Sequence, residues 1–145
     1  MTSVTFAGGC LCGAIRYRFT NTPRALTLCH CRSCRLSAGA PAVAWLVLGS
    51  DDFTFTAGRP KVFRSSPGVL RSFCDRCGTS LTYQREGQTD TIDVTSATLD
   101  APDAFAPTKE IWLEHKLRWM QANEALPHYA QTSRGTAPMQ RTPGT

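Results

Sequence analysis

All seven cysteines of this 145-residue chain lie in three short motifs. The motifs read CLC (10–12), CHCRSC (29–34) and CDRCG (74–78). Cysteines that serve only to fill a hydrophobic core have no reason to cluster in this way. Because thiols at such spacings converge readily on a metal ion, the clustering predicts a fold built around metal sites.

The CDRCG motif places Cys74 and Cys77 on a tight turn that ends in a glycine. Gly78 permits a left-handed backbone, so that amide N–H groups can point at the sulfur atoms. The alternative is a thioredoxin-type redox pair, which requires a βαβ context and a helix after the motif. A strand-like SLTY follows here, and the motif therefore favours a metal site.

The CLC motif places Cys10 and Cys12 two residues apart. On a straight strand these side chains would stand about 6.5 Å apart, which is too far for two ligands of one zinc ion. The chain must therefore bend, and glycines flank the pair on both sides. Together with Cys74 and Cys77 the pair makes a closed site of four cysteines. A structural zinc site of this kind can supply about 10–16 kcal/mol of apparent binding free energy toward folding.

The CHCRSC motif leaves three further thiols, those of Cys29, Cys31 and Cys34. Three protein ligands and one open position are typical of a catalytic zinc ion. Other partitions remain open, since His30 or an acidic or histidine side chain from elsewhere would also close the site. His30 lies between two proposed ligands, so we expect its side chain to point away from the metal.

Hydrophobic residues recur mostly with a period of two, which predicts short strands separated by turn signals. The predicted strands cover 14–19, 41–49, 52–56, 61–65, 69–73, 80–84, 91–95 and 111–113. Helix is limited to one turn over 32–38 and a short helix over 116–126, ended by Pro127. This pattern predicts an all-β sandwich or open barrel with little helix.

Residues 3–130 are predicted to form a single domain, and 131–145 a flexible C-terminal tail that lacks acidic residues. No stretch approaches the ~18–20 apolar residues that span a membrane. The first ten residues carry neither the basic nor the apolar region of a secretory signal. We therefore expect a cytoplasmic protein with reduced thiols.

The formal net charge of +5 is weak evidence for a nucleic-acid partner. Seven thiolates would remove seven charges and two Zn²⁺ ions would restore four, which leaves about +2. The chain has no long Lys/Arg run and no aromatic–basic stripe. A non-catalytic zinc module associated with nucleic acid nevertheless remains the alternative to an enzyme.

Three segments, GGCLCGAIRY, CHCRSCRLSAGAP and RSFCDRCGTSLTY, strongly resemble in order and spacing the glutathione-dependent formaldehyde-activating enzyme family, which includes centromere protein V. The resemblance covers residues 5–129. It implies a β-tent fold with two zinc ions per chain. One ion would be structural and the other would have an open position; the implied ligands are Cys10, Cys12, Cys74 and Cys77 for the first and Cys29, Cys31 and Cys34 for the second.

The resemblance also implies a carbon–sulfur lyase that joins glutathione and formaldehyde into S-hydroxymethylglutathione, or acts on a related adduct. Cys29, Cys31 and Cys34 would then be the catalytic ligands, and a small thiol or its aldehyde adduct the partner. Arg32 and Arg35 are candidates to bind the glutathione carboxylates, the alternative being that they are solvated.

The chain departs from the family pattern near its C-terminus. Many relatives carry a histidine in a segment like HIW, where this chain reads KEIWLEH with Glu110 in its place. If that histidine serves chemistry in relatives, its role is absent here or has passed to Glu110 or His115.

Overall fold

The computed structural model describes residues 4–135 and 137–139. This part of the chain is mainly β, as predicted, and it contains one short α-helix. The strands are β1 (Thr5–Gly9), β2 (Arg16–Thr20), β3 (Ala25–Cys29), β4 (Val43–Gly49), β5 (Phe53–Ala57), β6 (Lys61–Ser66), β7 (Val69–Phe73), β8 (Ser80–Arg85), β9 (Gln88–Thr95) and β10 (Lys109–Ile111). The helix α1 spans Arg32–Ala38, where a helical turn is predicted.

The chain divides into two compact units. The first combines Met1–Leu26 with Ala44–Ala106, and the second combines Thr27–Val43 with Pro107–Thr145. The prediction of one domain over 3–130 stays a prediction. The predicted flexible tail includes 136 and 140–145, which lie outside the described residues, and it too stays a prediction.

The first unit is built from antiparallel strands. One sheet has the order β1-β2-β5, and β4, β9, β8, β7 and β6 follow one another as hydrogen-bonded neighbours in that order. Alternate residues of β2 enter the core, where Tyr17 and Phe19 are fully buried. Leu46 of β4 and Leu81 of β8 are buried with them. The period of two in the sequence therefore identifies the core face correctly.

The second unit pairs β3 with β10 in parallel. The register places Glu110 opposite Leu28 and Ile111 opposite Cys29. On its other side β10 bonds to the chain at Pro127–Tyr129, because the N–H of Glu110 donates to the carbonyl of Pro127 and its carbonyl accepts from Tyr129, each over 3.0 Å.

The helix predicted over 116–126 is wrong. The segment forms turns, because polar side chains take up the backbone groups that a helix would have used. The ammonium of Lys116 donates to the carbonyls of Leu117 and Met120 at 3.1 and 2.8 Å. The N–H of Asn123 donates to the carboxylate of Glu110.

Two strand predictions also need correction. The strand predicted over 111–113 lies instead at Lys109–Ile111, because Trp112 adopts a left-handed backbone with φ 58° and the chain then turns. Strands β1 and β3 were not predicted, since TFAGG and ALTLC show no polar–apolar alternation.

Candidate metal centres

Four cysteine sulfurs meet in the first unit. Cys10 and Cys12 follow β1, Cys74 and Cys77 follow β7, and their ligand atoms all lie within 4.8 Å of one another. The Sγ atoms of Cys10 and Cys12 are 3.6 Å apart, and those of Cys12 and Cys74 are 3.8 Å apart. Zinc–sulfur bonds of about 2.3 Å set the corners of a tetrahedron about 3.8 Å apart. The four-sulfur cluster therefore fits one tetrahedral zinc ion.

Two tight turns bring these sulfurs together. In the first turn Gly13 has φ 80° and its N–H donates to the carbonyl of Cys10 at 3.1 Å. In the second, Gly78 has φ 81° and donates to the carbonyl of Cys74 at 2.7 Å. Both glycines occupy the left-handed region that other residues avoid. The bend that the CLC spacing requires and the left-handed glycine predicted in CDRCG are thus confirmed.

Hydrogen bonds to sulfur favour the thiolate forms of Cys10 and Cys77 in this cluster, whereas burial and the neighbouring thiols raise the pKa of Cys12 to about 11. The N–H of Ile15 donates to Sγ of Cys10 at 3.2 Å. The hydroxyl of Thr79 lies 3.2 Å from Sγ of Cys77, and this bond, with the backbone N–H of Thr79, lowers the pKa of Cys77 to about 5. Metal ligands must be deprotonated, so these donors prepare the cluster for a cation. None of the seven cysteines of the chain forms a disulfide.

The other three cysteines meet in the second unit. Cys29 ends β3, Cys31 is the N-cap of α1 and Cys34 lies in its first turn. Their ligand atoms all lie within 4.8 Å of one another, and within the described residues no fourth Cys, His, Asp or Glu joins the group. The N–H of Cys34 donates to Sγ of Cys31 at 3.2 Å. This three-sulfur cluster fits a metal ion whose fourth ligand comes from outside the described protein.

The three-sulfur cluster is more buried than the four-sulfur cluster. Cys29 and Cys34 are buried and Cys31 is half-buried, whereas Cys12 in the other unit is exposed. The neighbouring thiols of Cys31 and Cys34, together with burial, raise the pKa of Cys29. Three thiolates therefore repel one another in a poorly solvated place, and a divalent cation is the natural means of holding them together.

The structure places His30 outside the three-sulfur cluster, as the sequence predicts. Its side chain is fully buried, and its Nε2 donates to Oε1 of Glu110 at 2.6 Å. Glu110 is itself fully buried, and its second oxygen accepts from the N–H of Asn123. Its neighbour His128 lies 3.7 Å from the same oxygen.

The sequence did not reveal this pairing, because His30 and Glu110 are 80 positions apart and most glutamates are exposed. One signal was available. A residue between two metal ligands on an extended chain turns its side chain to the opposite face.

The two candidate arginines occupy different environments. Arg32 is exposed at the first position of α1, and its backbone N–H donates to Nδ1 of His115 at 3.1 Å. Arg35 is half-buried beside Cys34, and its Nε is buried with no hydrogen-bond partner within the described residues. Both stand next to the cluster in sequence, and their role toward a substrate stays a prediction.

Comparisons with known proteins agree with the motifs. The family model for "Glutathione-dependent formaldehyde-activating enzyme" matches residues 5–115. An uncharacterized lyase of Schizosaccharomyces pombe is 31% identical over 78 residues, which are 54% of this chain and 56% of that protein. The aligned part of the chain thus spans about half the length of this curated relative.

A solved structure supports the fold. The crystal structure of a Rhodobacter sphaeroides protein matches with a TM-score of 0.55 at 20% identity, and it covers 70% of this chain and 97% of that one.

In the part of the chain that the structure describes, no helix combines the length and the apolar character needed to cross a bilayer.

Proposed function

Because this chain belongs to the glutathione-dependent formaldehyde-activating enzyme family, we propose that it is a zinc-dependent carbon–sulfur lyase. The reaction forms or cleaves an adduct between a small thiol and an aldehyde, with glutathione and formaldehyde as the first pair to test. The lyase name of the fission-yeast relative supports the reaction class.

One observation carries the proposal, namely the difference between the two clusters. The first unit supplies four sulfurs and so completes a tetrahedron, while the second supplies three. A site closed by four cysteines suits a structural ion, and a site with a position left over suits catalysis. The three-sulfur cluster of Cys29, Cys31 and Cys34 is therefore proposed as the reaction centre.

The chemistry at this centre needs a thiolate and a polarised carbonyl. A zinc ion held by Cys29, Cys31 and Cys34 would supply Lewis acidity and would lower the pKa of a thiol at its remaining position. In the forward direction a bond forms between the thiolate sulfur and the aldehyde carbon. The carbonyl π pair moves to oxygen, which takes a proton from solvent, and cleavage is the reverse.

The chain's own residues serve this step by charge and by burial. Three thiolates with one Zn²⁺ leave a net charge of −1, which weakens Lewis acidity. Arg32 and Arg35 are adjacent in sequence to the ligands and would offset this charge. Arg35 also carries a buried Nε with no partner within the described residues, so a substrate carboxylate would satisfy a donor that is otherwise costly to bury.

The test is a Cys31→Ser variant, assayed for zinc content and for turnover of glutathione with formaldehyde. We expect the loss of about one zinc ion per chain, retention of the folded far-UV spectrum and no turnover. Loss of both ions with unfolding, or full turnover with one ion missing, would contradict the assignment. A thiol exchange series would then identify the preferred thiol.

A further inference from the structure

We propose that Glu110 is a positioning residue. Through its buried bond to His30, on the face opposite the sulfurs, it fixes the positions of the cysteines in the three-sulfur cluster. The inference deepens the proposed function and rests on it for the identity of the metal. The residues involved lie in the second unit, around Cys29, α1 and β10.

The register of β3 and β10 puts the pair on the face opposite the sulfurs. Glu110 stands opposite Leu28, and partners in a sheet project their side chains to the same face. Because side chains alternate along an extended chain, His30 shares that face with Leu28, and Cys29 and Cys31 take the other. The backbone stays extended through Cys31, which has φ −62° and ψ 150°.

The pair is fully buried and strongly hydrogen-bonded. Both side chains are 0% exposed, and Nε2 of His30 lies 2.6 Å from Oε1 of Glu110. Oε2 accepts from the N–H of Asn123, so both carboxylate oxygens have donors. A buried carboxylate that lost one of these donors would be costly. The bond therefore restrains the two side chains relative to each other, and it also restrains the backbone between Cys29 and Cys31.

A second contact holds the other side of Cys31. Nδ1 of His115 accepts from the N–H of Arg32 at 3.1 Å. The segment 110–115 thus contacts both sequence neighbours of Cys31, His30 through Glu110 and Arg32 through His115. We name these two contacts the clamp.

A cluster with three sulfurs needs such a clamp more than a cluster with four. Four cysteines around one ion restrain each other through the ion, whereas an ion with an exchangeable fourth ligand leaves part of that restraint to the protein. Residues that hydrogen-bond directly to metal ligands typically change metal affinity by about 10- to 100-fold when they are replaced, and the clamp acts one residue further from the ion. The clamp would keep the three sulfurs at the separation that the ion requires while the fourth ligand exchanges.

The first variant to test is Glu110→Gln. A glutamine keeps an acceptor oxygen for the N–H of Asn123, but it replaces the charge-assisted bond between the carboxylate and His30 by a neutral one, which is roughly half as strong. The zinc-loaded protein is titrated with a colorimetric chelator, and the zinc released is resolved into two steps. We expect the step of the three-sulfur cluster to shift toward weaker affinity by up to about 10-fold, the lower end of what direct partners of metal ligands cause, with the four-sulfur step unchanged as an internal reference.

The matched control is Glu124→Gln, which makes the same chemical change at an exposed residue beside Asn123. It should leave both release steps where they are. A Glu110→Gln variant that shifts both steps equally, or that only lowers the melting temperature, would overturn the proposal, since Glu110 would then serve stability alone.

Two substitutions of His30 separate positioning from ligation. His30→Gln keeps an N–H donor about where Nε2 stands, and it should retain metal affinity to within a few fold. His30→Leu removes the donor and leaves the buried carboxylate short of one partner, so it should lose at least as much affinity as Glu110→Gln. Equal losses in both His30 variants would overturn the clamp, since the imidazole itself would then be required.

If Glu110→Gln does not fold, His115→Ala tests the other half of the clamp, because His115 is partly exposed. A shift confined to the three-sulfur step supports the clamp, and an unchanged profile overturns it. None of these titrations uses turnover. A clamp without lyase activity would contradict the proposed function alone, and lyase activity without the clamp would contradict this inference alone.

Discussion

Thr79 connects the two turns of the four-sulfur cluster through three hydrogen bonds. Its hydroxyl accepts from the N–H of Leu11 at 3.1 Å and lies 3.2 Å from Sγ of Cys77. Its carbonyl accepts from the N–H of Cys74 at 3.0 Å. Thr79 therefore joins the CLC turn to the CDRCG turn through protein contacts alone, without a metal ion.

Replacement of Thr79 by valine should destabilise the first unit. Valine keeps the shape but removes the hydroxyl, so that the N–H of Leu11 and the sulfur of Cys77 both lose a partner. We expect a loss of about 0.5–1.5 kcal/mol in the free energy of unfolding, because both partners are partly solvated; urea denaturation of the zinc-loaded protein measures it. Thr56→Val, at an exposed position of β5, should change it much less. Equal effects at the two positions would contradict the role of the hydroxyl.

Gly8 illustrates a different residue-level constraint, that of space. A Cβ atom at Gly8 would stand 2.4 Å from the hydroxyl of Tyr17 and 2.5 Å from the carbonyl of Thr98. Tyr17 is fully buried and its hydroxyl bonds to that of Thr98 at 2.8 Å, so neither group can move freely.

We therefore predict that Gly8→Ala lowers the free energy of unfolding by about 1–3 kcal/mol or more, as overpacked cores do. Gly87→Ala is the control, because a Cβ there would meet nothing within 4 Å. Thermal unfolding of the two variants side by side gives the measurement. A Gly8→Ala protein as stable as the control would show that β1 can shift away from β2 at little cost.

At the scale of elements, the two clusters differ in how much chain they connect. The four-sulfur cluster connects the end of β1 to the end of β7, with Cys12 and Cys74 62 positions apart. The three-sulfur cluster connects only the end of β3 to the first turn of α1. Loss of the first should release a long loop, while loss of the second should release a short one.

Cys77→Ser should consequently destabilise the whole first unit. The zinc contribution of about 10–16 kcal/mol is comparable to the 5–15 kcal/mol net stability of an ordinary domain. We expect broad unfolding by circular dichroism at room temperature, against a folded spectrum for Cys31→Ser. A cooperative melt of Cys77→Ser close to that of the unmodified chain would contradict a structural role for this site.

The sequence predicts those elements and site features that depend on residues close together in the chain. The CDRCG and CLC turns are set by their own glycines and sulfurs, and the seven cysteines gather in the two groups that the motifs suggest, while their role as metal ligands stays a prediction. The helix prediction for 116–126 is wrong because the conformation of this segment depends on contacts that its own pattern does not show. The N–H of Asn123 donates to Glu110, and the ammonium of Lys116 donates to two backbone carbonyls. The helix-like pattern KLRWMQANEAL does not predict these contacts.

At the scale of the whole molecule, removal of metal should occur in two stages. A zinc ion in the four-sulfur cluster would have all four positions filled by the chain, whereas one in the three-sulfur cluster would keep a position through which a chelator can attack. We expect a moderate chelator to abolish turnover first, with the secondary structure intact, and prolonged chelation to unfold the first unit. Zinc release, turnover and ellipticity, all measured on one sample, test this order. Unfolding before the loss of turnover would contradict it.

The central claim is that the ion at Cys29, Cys31 and Cys34 has an exchangeable fourth ligand that a thiol can replace. The most direct measurement is a crystal structure of the zinc-loaded protein soaked with glutathione, with anomalous scattering used to identify zinc. We predict the glutathione sulfur as the fourth ligand, about 2.3 Å from the metal, and no change at Cys10, Cys12, Cys74 and Cys77. Water that remains at that position despite excess thiol, or a protein side chain that closes it, would contradict the account.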